Sequence, residues 1–313
     1  MRVVLLGPQR LQPMVAQTVG ALNLHGPVAT VTAGWQEYED EDLPLQNHLG
    51  GNTINLRLHR RGEEVFRTDP ELAAAYRARQ ERLRQYQGFY RVRLEYALEA
   101  AQAISRRQAA RDVHEEEWQA SIDAVRSLDQ MHLARCRQVH ADFEERWHPW
   151  DRDSIAKHRV ELARQVGECT ALVIAGGHVA VLLNRLKLFG IGEMVGARPV
   201  IAWSAGAMAI SERVVLFHDR PPQGPGIAEV LDAGMALCPG VVPLPDPSLR
   251  LSLDDRERVS TYARRFAPAA CLVMGHGARI VHDGAGWSDP SSIQKMGADG
   301  DLEALDASAI MQW

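Results

Sequence analysis

Cysteine is scarce in this 313-residue sequence: there are four, Cys136, Cys169, Cys238 and Cys271, and no two stand as Cys-x-x-Cys. That spacing suggests neither a zinc knuckle nor a disulfide framework, and it suits a reducing, cytoplasmic setting. No run reaches eighteen apolar residues, so no segment reads as a membrane span. The apolar stretch Val3-Val4-Leu5-Leu6 is far shorter than a secretory core and no small-residue cleavage site follows it, so it reads as a first strand. Positive charge is not in excess either. Lys and Arg number 35 against 40 Asp and Glu, a net charge of -5 that argues against the whole protein binding polyanions. With 46% apolar and 24% charged residues the chain is of globular type, long enough to bury a real core in one large domain or two ordinary ones.

Proline is absent between Pro70 and Pro149, and there the pattern changes. Before it, residues 2–6 and about 28–33 read as strands separated by a helix near 12–22, and 55–66 reads as a further strand or hairpin. Within it, strong helix formers dominate. Trp118, Ile122, Val125, Leu133, Cys136, Val139, Phe143 and Trp147 recur at steps near three, four or seven, which is one apolar stripe on a long helix. The first half is rich in arginine (Arg77, Arg79, Arg82, Arg84, Arg91, Arg93, Arg106), the second in carboxylates (Asp112, Glu115, Glu116, Glu117, Asp123, Asp129, Asp142). Two antiparallel helices over residues 69–147, paired by stripe and by opposite charge, are expected to form a protruding hairpin. Its acidic half would cancel much of the field of its basic half, and few aromatics lie where bases would stack, so it reads as a packing or homo-oligomerisation element rather than a nucleic-acid surface. His132, Cys136 and His140 fall at i, i+4 and i+8 with zinc-compatible types. A fourth ligand is not evident, and the reading carried forward has no metal and no cofactor.

After Trp150 the grammar is that of an α/β sheet. Asp153 or Ser154 caps a helix to about Val166, Ala171-Leu172-Val173-Ile174-Ala175 is a buried strand ending in Gly176-Gly177, residues 179–189 are helical, and Pro199-Val200-Ile201-Ala202-Trp203 is the next central strand. Strand, glycine turn, helix, strand, sharp turn and helix predict a mainly parallel, doubly wound sheet, a three-layer α/β sandwich over 1–68 and 148–313 with 69–147 inserted. Such sheets do their chemistry at the carboxyl ends of the strands, where Gly176, Gly177 and Ser204 all fall.

Trp203-Ser204-Ala205-Gly206-Ala207 has the form of a nucleophile elbow. The turn needs a small residue two positions after the serine, which Gly206 supplies, and usually another two before it, which Ala202 nearly supplies. The Ala205 N–H would face a developing oxyanion, with a second donor from Gly176 or Gly177. A serine that merely caps a helix after a buried strand is the alternative reading of the pentapeptide taken alone.

Gly176-Gly177-His178, then Val181-Leu182-Leu183-Asn184-Arg185-Leu186, then Trp203-Ser204-Ala205-Gly206-Ala207 together resemble the paired motifs of the dipeptidase E and cyanophycinase family of serine peptidases, which share the class I glutamine amidotransferase-like fold. Gly234-Met235-Ala236-Leu237-Cys238-Pro239-Gly240-Val241-Val242 resembles the segment that leads to that family's catalytic histidine, and a helix near 252–266 and a strand at 271–274 also fit. The resemblance covers residues 1–60 weakly and about 160–285 well, and leaves the hairpin outside. It implies attack by Ser204 on an amide or isopeptide bond beside an acidic residue, with Gly176, Gly177, His178 and Ala205 around the substrate or oxyanion. A cysteine nucleophile, as in an amidotransferase proper, is not what the elbow holds.

The departures are as informative. The resemblance places Pro245 where the general-base histidine should stand, and proline takes no proton. His276, in Gly275-His276-Gly277, stands at a turn where relatives often carry an acid, and the double-glycine loop reads Gly-Gly-His rather than Gly-Gly-Asn. Two accounts stay open. In one, His276, or else His218 or His178, serves Ser204 with Asp219 orienting it; in the other, the machinery has decayed and the fold binds or assembles through its hairpin. Whether Arg185 or Arg213 reads an acidic group is left open by the sequence.

Overall fold

The computed structural model describes residues 1–217 and 226–310. The chain starts with β1 (Val3–Leu6), α1 (Val15–Ala21), β2 (Val28–Val31), α2 (Leu43–His48), β3 (Thr53–Asn55) and α3 (Leu58–Thr68). Two long helices, α4 (Pro70–Ser105) and α5 (Arg111–Trp147), lead to α6 (Asp153–Glu168). Then come β4 (Ala171–Ile174), α7 (Val179–Phe189), α8 (Ile191–Val195), β5 (Val200–Trp203), α9 (Ala205–Ile210), β6 (Arg213–Leu216) and β7 (Glu229–Ala233). The chain closes with β8 (Val241–Pro245), α10 (Arg256–Phe266), β9 (Ala270–His282), β10 (Trp287–Met296) and β11 (Leu302–Ala304).

Strands β1, β5, β4, β2 and β3 lie side by side in that order, all parallel, and are flanked on the β1 side by antiparallel β9, β10 and β11. The long β9 pairs with β1 through residues 279–282 and with β8 through residues 270–274. It therefore runs past the carboxyl end of β1, and β8 finishes there at Pro245. Strands β6 and β7 form a separate antiparallel pair.

The period-two geometry of a strand divides the core between the two faces of the sheet. Val3, Leu5, Ala29, Val31, Leu172, Ile174, Val200 and Ala202 point into the larger core, shared with α3, α6 and α7. Their neighbours Val4, Leu6, Val28, Val173, Ile201 and Trp203 point the other way, against Val15 and Val19 of α1 and Leu45 of α2. Helices on both faces of a mainly parallel sheet make the three layers. Near-continuous apolar runs such as Ala171–Ile174, buried along their whole length, are what two covered faces require.

Three local expectations change. Residues 55–66 are not a strand or hairpin: β3 ends at Asn55 and α3 buries Leu58, Gly62 and Val65, a helical spacing that short alternation had hidden. Neither Asp153 nor Ser154 caps α6, whose N-cap is Arg152; the Ser154 hydroxyl instead donates to Asp69. Gly275-His276-Gly277 is no turn but the interior of β9.

The two long helices form the expected antiparallel pair, with Ile122, Val125, Leu133, Cys136, Val139 and Phe143 of the stripe buried. The pair does not protrude. It lies along the body: Arg106 reaches Glu257 of α10, Arg91 reaches Glu229 of β7, and Arg152 holds Asp69 at the other end. Among the described residues no ion pair joins α4 to α5. Tyr76 meets Phe143 edge-on at 5.3 Å and Tyr90 stacks on His132 at 4.2 Å, so apolar and ring contacts, together with the Tyr90–Asp129 hydrogen bond, hold the helices to each other. The flanking charges, worth little as exposed pairs, turn to carboxylates of the body instead.

Buried at the centre of this contact, Arg265 of α10 donates to both oxygens of Asp129 on α5 at 2.7 and 2.8 Å and to the Tyr90 hydroxyl on α4 at 3.0 Å. That hydroxyl donates to Asp129 at 2.6 Å and accepts from the Val230 N–H of β7, while Arg265 also donates to the Ala228 carbonyl. Burial and the adjacent carboxylate both push the Tyr90 hydroxyl well above its ordinary value. One network thus cross-braces four elements.

Candidate active site

Backbone strain marks the centre of the site. Ser204, between β5 and α9, has φ 51° and ψ -122°, a left-handed region that L side chains rarely occupy and that costs on the order of 1–3 kcal/mol. The bend brings the serine's helix tight against β4. A β-carbon at position 206 would stand 2.5 Å from the Ile174 carbonyl oxygen and 3.0 Å from that of Ala175, so glycine is the residue this crossing permits.

The loop after β4 lies against the serine. A β-carbon on Gly176 would stand 2.9 Å from Ser204 Cβ and 3.6 Å from its Oγ. Gly177 turns with φ 119°, and the His178 N–H donates to Gly34 O at 2.8 Å, which ties this loop to the one following β2. Among the described residues the N–H groups of Gly176, Gly177 and Ala205 have no hydrogen-bond partner, nor has the Ser204 hydroxyl. These are three unengaged donors beside an unengaged hydroxyl.

All of them open on one cleft of about 970 Å³ at the carboxyl ends of the parallel strands. The segments after β1, β2, β4 and β5 each contribute: Arg10, Trp35, His178 and Ala205 are among the lining residues. From the far side of the sheet come Pro245 and Asp246. Position 245 thus faces the serine's cleft, and the residue there has no titratable group.

The structure gathers Ser204, Gly176, Gly177, His178 and Ala205 around this cleft. His276 does not line the cleft. It lies within β9, partly buried, with Nδ1 enclosed and unpartnered. His218 and Asp219 fall outside the described residues, although Phe217, which immediately precedes them, lines the cleft. His178 is the one histidine among the described lining residues; it is exposed, and its Nδ1 accepts from the Val181 N–H at 3.3 Å to cap α7. In the neutral ring that arrangement leaves the proton on Nε2.

Neither Arg185 nor Arg213 lines the cleft. Arg185 is buried and paired with Glu63 at 2.6 Å, and Arg213 belongs to β6. The charged residues that do line it are Arg10, Asp246 and Arg250, none of which has an ion-pair partner among the described residues. Sequence reading missed all three. They sit in loops after strands, and only Asp246, next to Pro245, had a position that could have drawn notice.

No family model matches this chain, and no curated protein matches it. Among solved structures, a crystal structure of a peptidase from an acI-B1 Actinobacterium is similar over 95% of this chain and 91% of that one, with 11% identity and a TM-score of 0.40.

Proposed function

We propose that the protein is a serine hydrolase of amide or isopeptide bonds, similar to dipeptidase E and cyanophycinase, with Ser204 as its nucleophile. The observation that carries this reading is the strained backbone of Ser204 in an open cleft beside three unengaged N–H donors. A strain of this kind persists only where the surroundings impose it, and here Gly206 and the Gly176 loop impose it. In the proposed reaction Ser204 Oγ attacks the carbonyl carbon, and the N–H groups of Gly176, Gly177 and Ala205 donate to the oxygen as it gains charge. Arg10 and Arg250 support the choice of a bond beside an acidic group.

The serine proton has to go to a base. His178 takes that role in this reading, with His276 and His218, and Asp219 as its orienting acid, as the other candidates from the sequence. His178 already holds a proton on Nε2 while it caps α7, so it accepts the serine proton there only after moving its own proton to Nδ1 and releasing the cap. At 3.3 Å and exposed, that bond is weak and its release costs about 1 kcal/mol. A fluorophosphonate probe should label Ser204 within the range of about pH 6 to 9, which spans the change of an ordinary histidine from mostly charged to neutral. Ser204→Ala should abolish the label and His178→Ala should slow it. Labelling that is absent throughout this range removes the reading.

The second reading is a degenerate homologue that binds or assembles through residues 69–147, inserted in an α/β body of 1–68 and 148–313. Pro245 in the cleft favours it, as do Phe89, Val92 and Tyr96, exposed at i, i+3 and i+7 on α4. Replacing those three with Glu should leave a single smaller species by sizing if the stripe joins two copies. Unchanged size removes that role. A cytoplasmic setting fits the four free cysteines. Among the described residues no helix is long and apolar enough to cross a membrane.

A further inference from the structure

A second cavity, of about 370 Å³, lies between α4, α5, α7 and β7, on the flank of the molecule where the helical pair meets the sheet domain. It shares Ala180 and Leu231 with the Ser204 cleft as a common wall. The two cavities are neighbours across that wall: Arg79 and Lys187 line the second and not the first, and Ser204 lines the first and not the second.

Its charged residues are all accounted for except one. Arg91 is held by both oxygens of Glu229, at 2.9 and 2.7 Å. Arg84 is paired with Glu81 at 3.2 Å. Lys187 donates to the Ala233 carbonyl at 2.6 Å and lies 3.6 Å from Asp232, which also meets His140 at 2.8 Å. Arg79 has no ion pair and no hydrogen bond among the described residues, and its Nε is buried without a partner.

What Arg79 does have is two aromatic faces. Its guanidinium carbon stands 3.8 Å from the centroid of Tyr76 and 4.4 Å from that of Phe143. The two rings stand nearly perpendicular to each other and meet the guanidinium on adjacent sides; they hold its position, and neither supplies an oxygen acceptor for its N–H groups. A positioned guanidinium that meets no acceptor among the described residues matches the fork geometry of a carboxylate or phosphate on whichever edge the rings leave open. Nearby, burial lowers the Lys187 ammonium from its ordinary value, Asp232 opposes that shift and Arg79 adds to it; with Lys187, Arg84 and Arg91 each paired to a carboxylate, Arg79 is the cavity's uncompensated cation among the described residues. The Asn184 carboxamide oxygen is taken by Arg185, which leaves its NH₂ as a further donor at the wall, and Leu83, Leu183 and Leu231 form an apolar lining.

We propose that this cavity binds a small organic anion, a carboxylate or phosphate head on a short apolar body, through the in-plane N–H groups of Arg79. The site is independent of whether Ser204 is active.

Calorimetric titration of the full-length protein with benzoate, phenyl phosphate and neutral benzamide tests it. Benzoate and phenyl phosphate should bind saturably at one site and benzamide at least about tenfold more weakly, since it lacks the charge that Arg79 reads. Arg79→Met, which keeps the apolar stem against the rings, should weaken both anions at least about tenfold with the melting temperature retained. Arg79→Lys, which keeps the charge without the fork, should fall between, and it serves as the test if the Met variant does not fold. The Arg10→Gln/Arg250→Gln pair should leave binding unchanged. No saturable binding, equal binding of benzamide, indifference to Arg79→Met, or loss of binding in the Arg10/Arg250 pair overturns the proposal.

Discussion

Gly176 and Ser204 are packed so closely that a β-carbon on the first would stand 2.9 Å from the β-carbon of the second. Any larger residue at 176 must displace the serine or intrude on the cleft it faces. Gly176→Val is therefore expected to slow fluorophosphonate labelling of Ser204 by at least about tenfold, equivalent to ~1.4 kcal/mol of barrier, with far-ultraviolet circular dichroism unchanged. Labelling at the wild-type rate would show that the hydroxyl does not work from this position.

The Arg265–Asp129 pair, 3% and 2% exposed, should respond sharply to loss of one partner. Asp129→Ala leaves a buried guanidinium without its carboxylate and should lower the unfolding free energy by about 3–5 kcal/mol in urea. Combining it with Arg265→Met removes the stranded charge and should recover part of that loss. A double variant less stable than Asp129→Ala would contradict this account.

Acid should weaken the fold through Asp69. The Arg152 guanidinium, with help from the Leu72 N–H and the Ser154 hydroxyl, lowers its carboxyl from 3.8 to about 2. A carboxyl whose pKa is depressed in the folded state stabilises that state fully above its unfolded value. The contribution, about 2 kcal/mol, should fade as the pH falls from about 4 to about 2. Asp69→Asn should be less stable at neutral pH and should lose less between those limits, as followed by thermal melts across the range.

All four cysteines are buried, and burial raises each thiol, to about 12 for Cys136 and Cys271. The nucleophilic thiolate is then almost unpopulated at pH 8. Native protein should show no fast-reacting thiol toward Ellman's reagent, and four after denaturation. A fast thiol in the native state would place one of these residues at the surface.

Much of the fold was legible because its signals are local. The stripe from Ile122 to Phe143 is buried as its spacing requires, and Ala171–Ile174 and Val200–Trp203 are the central strands that unbroken apolar runs suggest. Gly206 beside Ser204 and the Gly176-Gly177 pair identified the elbow and its neighbour for the same reason: a sharp turn constrains the residues that form it. The region 55–66 misled because a few buried residues over one or two turns fit period two and period 3.6 almost equally.

The sequence by itself determined the central strands, the long helices and the sharp turn at Ser204, since backbone conformation depends on residues a few positions apart. The tertiary structure alone decided which charges meet. Arg265 finds Asp129 across 136 residues, Arg91 of α4 and Arg106 just past its end turn to Glu229 and Glu257 rather than to a carboxylate of α5, and Arg10 and Arg250 converge on the Ser204 cleft. Long charged side chains reach whatever carboxylate the fold delivers, and no local pattern encodes that choice. It also left Pro245 lining the serine's cleft and Arg79 against two rings without an acceptor among the described residues.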